Sequence, residues 1–216
     1  SPSVPPTHHA RSLRPWYVTA TLVLVLLIGL RGLGAGCGAT LYLRGGMVPD
    51  VAAVAEQARG GEPFEFTFQV IEAAQARALA EHRSRTFPLS VGRMLLGGLL
   101  LVASFLALGG RPGSRALALQ AIGAGAAFAA LEYGLTREVR AAWIEMVVRA
   151  GALLPEGSPE RQSVTTPALW WFAERVRVSI FEIGALALGA LALTRVRARA
   201  WFQAMEDAVE EETEEP

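Results

Sequence analysis

Residues 114–154 read SRALALQAIGAGAAFAALEYGLTREVRAAWIEMVVRAGALL. From Ala116 to Leu131 the stretch is almost wholly apolar, and its first carboxylate is Glu132. After Arg137 the pattern changes: Val139, Trp143, Met146, Ala150 and Leu153 recur at steps of 4, 3, 4 and 3, with Glu145 and Arg149 four apart on another face. The first half has the length and composition of a membrane-spanning helix, running from Ala116 to about Thr136. The second half has the a/d seam of an amphipathic helix outside the hydrocarbon, and it can continue directly from the span.

Working outward, Gly109-Gly110-Arg111-Pro112-Gly113 is a turn that brings the preceding apolar run, Pro88–Gly110, back antiparallel to the one after it. A further apolar run covers residues 16–38, with Trp16 and Tyr17 suited to headgroup depth at one end and Tyr42 at the other. A signal peptide with a small-residue cleavage site near Gly34–Ala39 competes for this segment, but the run is long and three more candidate spans follow it. The last run is Val178–Thr194, after Trp170-Trp171 at interface depth. The expected fold is all-α: an integral membrane four-helix (tetraspan) bundle with two helical hydrophilic loops, 44–87 and 137–177, on one side. Residues 14–195 form the membrane domain, 1–13 a disordered Pro-rich tail, and 196–216 an amphipathic, acidic tail with a Trp201, Phe202, Met205, Val209 stripe.

Within the first loop, Asp50 is placed to start a short helix ending at Ala58 before Gly60-Gly61. Phe64, Phe66, Phe68 and Val70 alternate with polar residues, which predicts a strand or an extended segment on the membrane surface. Ile71–His82 reads as a helix with Arg77 and Glu81 four apart. Thr86-Phe87-Pro88 and Thr165-Thr166-Pro167 precede the second and fourth spans alike, which hints at a duplicated two-helix unit.

Composition narrows the chemistry. Apolar residues make up 52% and charged residues 19%, with a mean hydropathy of +0.33. All 20 basic residues are Arg, balanced by 20 acids, so Lys-based covalent chemistry and a strongly basic nucleic-acid surface are not expected. Cys37 is the one cysteine, the histidines are His8, His9 and His82, and the aspartates are Asp50 and Asp207. No nucleophile–His set or zinc motif emerges, so neither enzyme activity, cofactor nor metal is expected. Gly32, Gly34, Gly36 and Gly38 give two small-xxx-small pairs that permit close helix approach, and do not fit a dinucleotide fingerprint. The third span, rich in Ala and Gly, suits a helix packed inside the bundle.

Each span also carries one ionisable residue near its loop-side end: Arg31, Arg93, Glu132 and Glu182. Counted from the arginines at the opposite ends, they lie about 20–27 Å along the helices at ~1.5 Å per residue, so all four reach similar depths. Snorkelling to the interface is the first expectation for these heads, an inward-facing ion-pair cluster the second, and the lining of a transport or proton path the third. A raw arginine count favours cytoplasmic long loops, but these arginines are interleaved with acids, and Arg11 and Arg14 ahead of the first span point to cytoplasmic termini in a cell inner or plasma membrane. The expected function is a structural, accessory or scaffold component; the alternative is a small transporter or channel component using the Arg/Glu set. The bilayer is the expected partner; the Val139, Trp143, Met146, Ala150, Leu153 seam is expected first to pack within its own chain, on the first hydrophilic loop, with the membrane surface, a protein partner or a second copy as the alternatives.

Overall fold

The computed structural model describes residues 14–214, and all regular structure among them is helical. The Pro-rich tail expected over 1–13, with His8 and His9, lies outside the described residues. Four helices are long and apolar enough to cross a membrane: α1 (Trp16–Gly45), α4 (Arg83–Leu108), α5 (Ser114–Leu135) and a composite helix, Pro167–Thr194. The composite helix comprises α8 (Pro167–Val176), a π-helical segment (Arg177–Gly184) and α9 (Ala185–Thr194). α1 packs on α4, α4 on α5, α5 on α9 and α9 on α1, a closed ring in which each helix runs antiparallel to both neighbours.

The first and fourth of these helices are longer than their apolar runs. α1 continues past Gly38 to Gly45, where Gly46 at φ 69° ends it in the left-handed conformation only glycine adopts freely. The fourth begins at Pro167, eleven residues before the apolar run at Val178, because Pro at N1 starts a helix regardless of hydropathy. The ring also leaves α5 no more enclosed than its neighbours, despite its small residues: a Cβ on Gly123 would meet nothing within 4 Å.

The two hydrophilic segments fold together. α2 (Val51–Ala58), α3 (Pro63–Glu81), α6 (Arg137–Gly151) and α7 (Pro159–Val164) share one hydrophobic core around Ala55, Phe66, Val70, Trp143 and Val147. Asp50 caps α2 by accepting from the Ala52 and Ala53 amides at 3.0 and 3.4 Å, and Ser158 caps α7 from the Arg161 amide at 3.1 Å. We call this module the cap. Trp170 extends its core, meeting Trp143 edge-on at 5.9 Å and donating to the Val164 carbonyl at 2.9 Å. The seam on α6 is used here: Val139, Trp143 and Ala150 are buried in the cap core, with Met146 and Leu153 half-buried at its edge.

The strand expected over Phe64–Val70 is instead the start of α3. Phe66 and Val70 are four apart and buried on one helix face, while Phe64 and Phe68 face out. Pro63 starts the helix, and a lone strand would have left its backbone groups without partners. The two Thr-x-Pro motifs are not equivalent either. Pro167 opens α8, but Pro88 lies inside α4, where the chain has already turned at His82.

On the cap side α6 does not continue α5, because Thr136 breaks the pair, while at the opposite, termini side α10 (Val196–Glu214) folds back under the bundle. It seats Ala198, Trp201 and Phe202 in the core formed by the four long helices. The Arg14 guanidinium stacks over the Trp201 ring at 4.4 Å and donates to the Leu108 carbonyl at the end of α4. Arg115 and Arg199 likewise donate to the Leu193 and Thr194 carbonyls at the end of α9, at 3.0 and 2.9 Å. Arginine suits this place because helix C-termini expose unpaired carbonyls and a partial negative charge. Glu206 of α10 accepts from the Gly113 amide at 2.9 Å, tying α10 to the α4–α5 turn.

Candidate functional site

The close approach of α1 and α4 sets the geometry of the site. A Cβ on Gly36 would lie 2.6 Å from the Met94 amide nitrogen and 2.8 Å from the Ser90 carbonyl oxygen. A Cβ on Gly29 would lie 2.8 Å from the Leu101 nitrogen, and one on Gly32 3.4 Å from the Gly97 Cα. Gly34 and Gly38 meet nothing within 4 Å. Of the four glycines singled out, Gly32 and Gly36 therefore face α4, and Gly34 and Gly38 face away. Gly29 and Gly97 complete the contact; the signal for Gly29 was its i, i+3, i+7 spacing with Gly32 and Gly36.

With the backbones this close, Arg93 on α4 reaches across to α5. Its Nε and Nη2 both donate to Glu132 Oε2, at 3.1 and 2.8 Å, and Nη2 stands 3.9 Å from Glu182 Oε2. The carboxylate side chains are 18% and 16% exposed and Arg93 is 29% exposed. These heads are paired with one another rather than spread separately into the surroundings.

Arg31 does not join them. It is exposed and makes no ion pair or hydrogen bond among the described residues. Its place is taken by Arg177, which donates to Glu182 Oε1 and pairs with Glu174 at 3.0 Å. The π-helical segment explains this. Residues i and i+5 lie one above the other in a π-helix, so Arg177 and Glu182 share a face that an α-helix would have split. Nothing in the sequence marks a π-turn, and Arg177 sat one residue before the apolar run, among loop residues.

Arg140 is the second missed residue. It is 7% exposed, near the start of α6, and donates to Thr136 Oγ1 at 2.7 Å and to the Tyr133 carbonyl. Its guanidinium lies 3.9 Å from the Tyr133 ring centre, and its Nε has no partner. Burial pushes the Arg140 pKa below its ordinary value, and the group stays a cation. Thr136, at the break between α5 and α6, also donates to the Glu132 carbonyl at 2.6 Å, so one hydroxyl links both ends of this arrangement.

These groups line a cavity of about 330 Å³ between cap and bundle, into which Arg31, Arg93, Arg140 and Arg177 and the carboxylates of Glu132, Glu174 and Glu182 are gathered. Gln75 and Leu79 of α3 close it from the cap side. A narrower crevice of about 80 Å³ continues among the four long helices, sharing Arg31, Arg93, Glu132 and Glu182 with the cavity.

No family model, curated protein or solved structure matches this chain. The site is therefore read from its own chemistry. Among the described residues, no group of three or more His, Cys, Asp or Glu side chains could hold a metal ion. Every carboxylate at the cavity is engaged by a guanidinium, which locks charge in place rather than leaving a free base.

Proposed function

We propose that this protein is a non-catalytic four-span integral membrane protein of the cell inner or plasma membrane. Its cap stands outside the bilayer on one side as a scaffold or accessory module for protein partners. The observation that carries this reading is the shared core of the two hydrophilic segments. Mere connectors between spans have no need of a hydrophobic centre, whereas a folded module offers a fixed surface for recognition. Both termini lie on the cytoplasmic side, as Arg11 and Arg14 before α1 argue, and α10 packs beneath the bundle there.

The transporter alternative draws on the paired Arg93, Glu132 and Glu182 charges, and would need a polar path leading away from them. On the termini side of that cluster the interior closes on Val18, Leu22, Val25, Ile122 and Leu193, none more than 2% exposed. The test pairs two assays. Photo-crosslinkers at Glu56 and Arg149 on the cap should give discrete heavier species in native membranes, and purified protein in liposomes should leave ion and proton gradients as they are in empty vesicles. Dissipation of a gradient that is lost on Arg93→Gln would overturn the scaffold reading in favour of transport.

A further inference from the structure

We infer that the cavity between cap and bundle binds the head of a monoanionic amphiphile, a lipid phosphodiester or carboxylate, at Arg31 and Arg140, with the first carbons of its hydrocarbon chain in the crevice below. The inference rests on the membrane part of the function proposed above and not on the scaffold part.

Charge makes the first argument. All three cavity carboxylates are committed: Glu132 to Arg93, Glu174 to Arg177, and Glu182 to both. Arg31 and Arg140 line the same cavity with no carboxylate within 4 Å among the described residues. Four guanidiniums thus face three carboxylates, an excess of one positive charge that a single anion cancels. Arg140 adds a buried Nε–H without an acceptor, a group whose burial is costly until one arrives. Arg31 sits fifteen residues into an apolar helix, where an unpaired cation is expensive and marks a partner.

Shape makes the second. The crevice is walled by Ile28, Leu96, Leu100, Phe128, Phe181 and Leu186. It meets the polar cavity at Arg31, Ala129 and the Arg93–Glu132 pair, so a polar compartment opens into an apolar one at a single level. A free inorganic anion would use only the upper half. A molecule with one charged head and an alkyl chain uses both, and in a bilayer such molecules are the solvent itself.

The test uses the full chain in nanodiscs of phosphatidylcholine with and without phosphatidylglycerol, reading lipids retained by native mass spectrometry after release into detergent. Wild type should keep phosphatidylglycerol in preference to phosphatidylcholine. Arg31→Gln, at an exposed position that leaves folding intact, should weaken retention about tenfold, the loss of one charge-assisted contact. Arg31→Lys should restore part of it, and Ala129→Phe should block the chain. Equal retention of the two lipids, or an unchanged Arg31→Gln, overturns the site. Inorganic phosphate that raises the melting temperature of wild type and of Ala129→Phe alike, with no lipid preference, replaces the amphiphile by a free anion. Protein that fails to enter the discs, seen by size exclusion, overturns the membrane reading and the lipid site with it.

Discussion

Gly34 and Gly36 stand two residues apart in one glycine run and should respond to alanine with opposite signs. At Gly36 the new methyl carbon would meet three backbone atoms of α4 at 2.6–2.8 Å, and backbone cannot rotate away as a side chain can. α1 and α4 must separate by close to an ångström, loosening Gly29 against Leu101 and Gly97 against Leu33 along the same seam. Overpacking of this kind costs about 1–3 kcal/mol, and three backbone clashes place it near the top of that range. Alanine returns about 1 kcal/mol of helix propensity, so the net loss is about 2 kcal/mol. At Gly34 nothing lies within 4 Å, so only the propensity gain of up to ~1 kcal/mol remains. The two variants should differ by about 3 kcal/mol, or roughly 6–12 °C in melting temperature for a chain of this size. Thermal unfolding of each purified variant in one detergent, followed by near-UV circular dichroism, measures the difference. Equal midpoints, or a stabilised Gly36→Ala, would refute the tight α1–α4 contact on which the cluster geometry depends.

Arg93→Gln and Glu132→Gln should each destabilise the protein by ~2–3 kcal/mol, and the double variant by less than their sum; additive losses in a double-mutant cycle would show that the pair is not formed. Phe66→Ala should cost ~3–5 kcal/mol, while Phe68→Ala, on the exposed face of α3, should stay within ~1 kcal/mol; similar losses at both would restore the alternating, strand-like reading. Trp201→Ala removes the ring beneath Arg14 and should release α10, so limited trypsinolysis at Arg195, Arg197 and Arg199 should quicken by an order of magnitude or more. An unchanged digestion rate would mean that α10 is held by other contacts.

The four long helices were legible because apolar run length is a local property: about 20 residues are needed to cross hydrocarbon, and each run reaches that count or comes close to it. The α2 cap at Asp50 was legible for the same reason, since its acceptor and donors lie within three residues. Phe64–Val70 misled because period 2 over so short a stretch also contains an i, i+4 pair, and only burial of Phe66 and Val70 against α6 selects the helix.

The site divides along the same line. Depth follows from counting residues along a helix, so sequence alone placed Arg31, Arg93, Glu132 and Glu182 near one level. Azimuth and partner choice do not follow from counting. They depend on how far α1 sinks onto α4, on the π-segment that rotates Glu182 onto Arg177, and on the packing of the two hydrophilic segments that brings Arg140 over the bundle. Sequence determined that this chain makes four apolar helices with charges at a shared depth, because hydropathy and helical rise are additive along the chain. Only the tertiary structure decided which charges meet and left Arg31 and Arg140 without a carboxylate, because ion pairing is settled across ångström distances between segments remote in sequence.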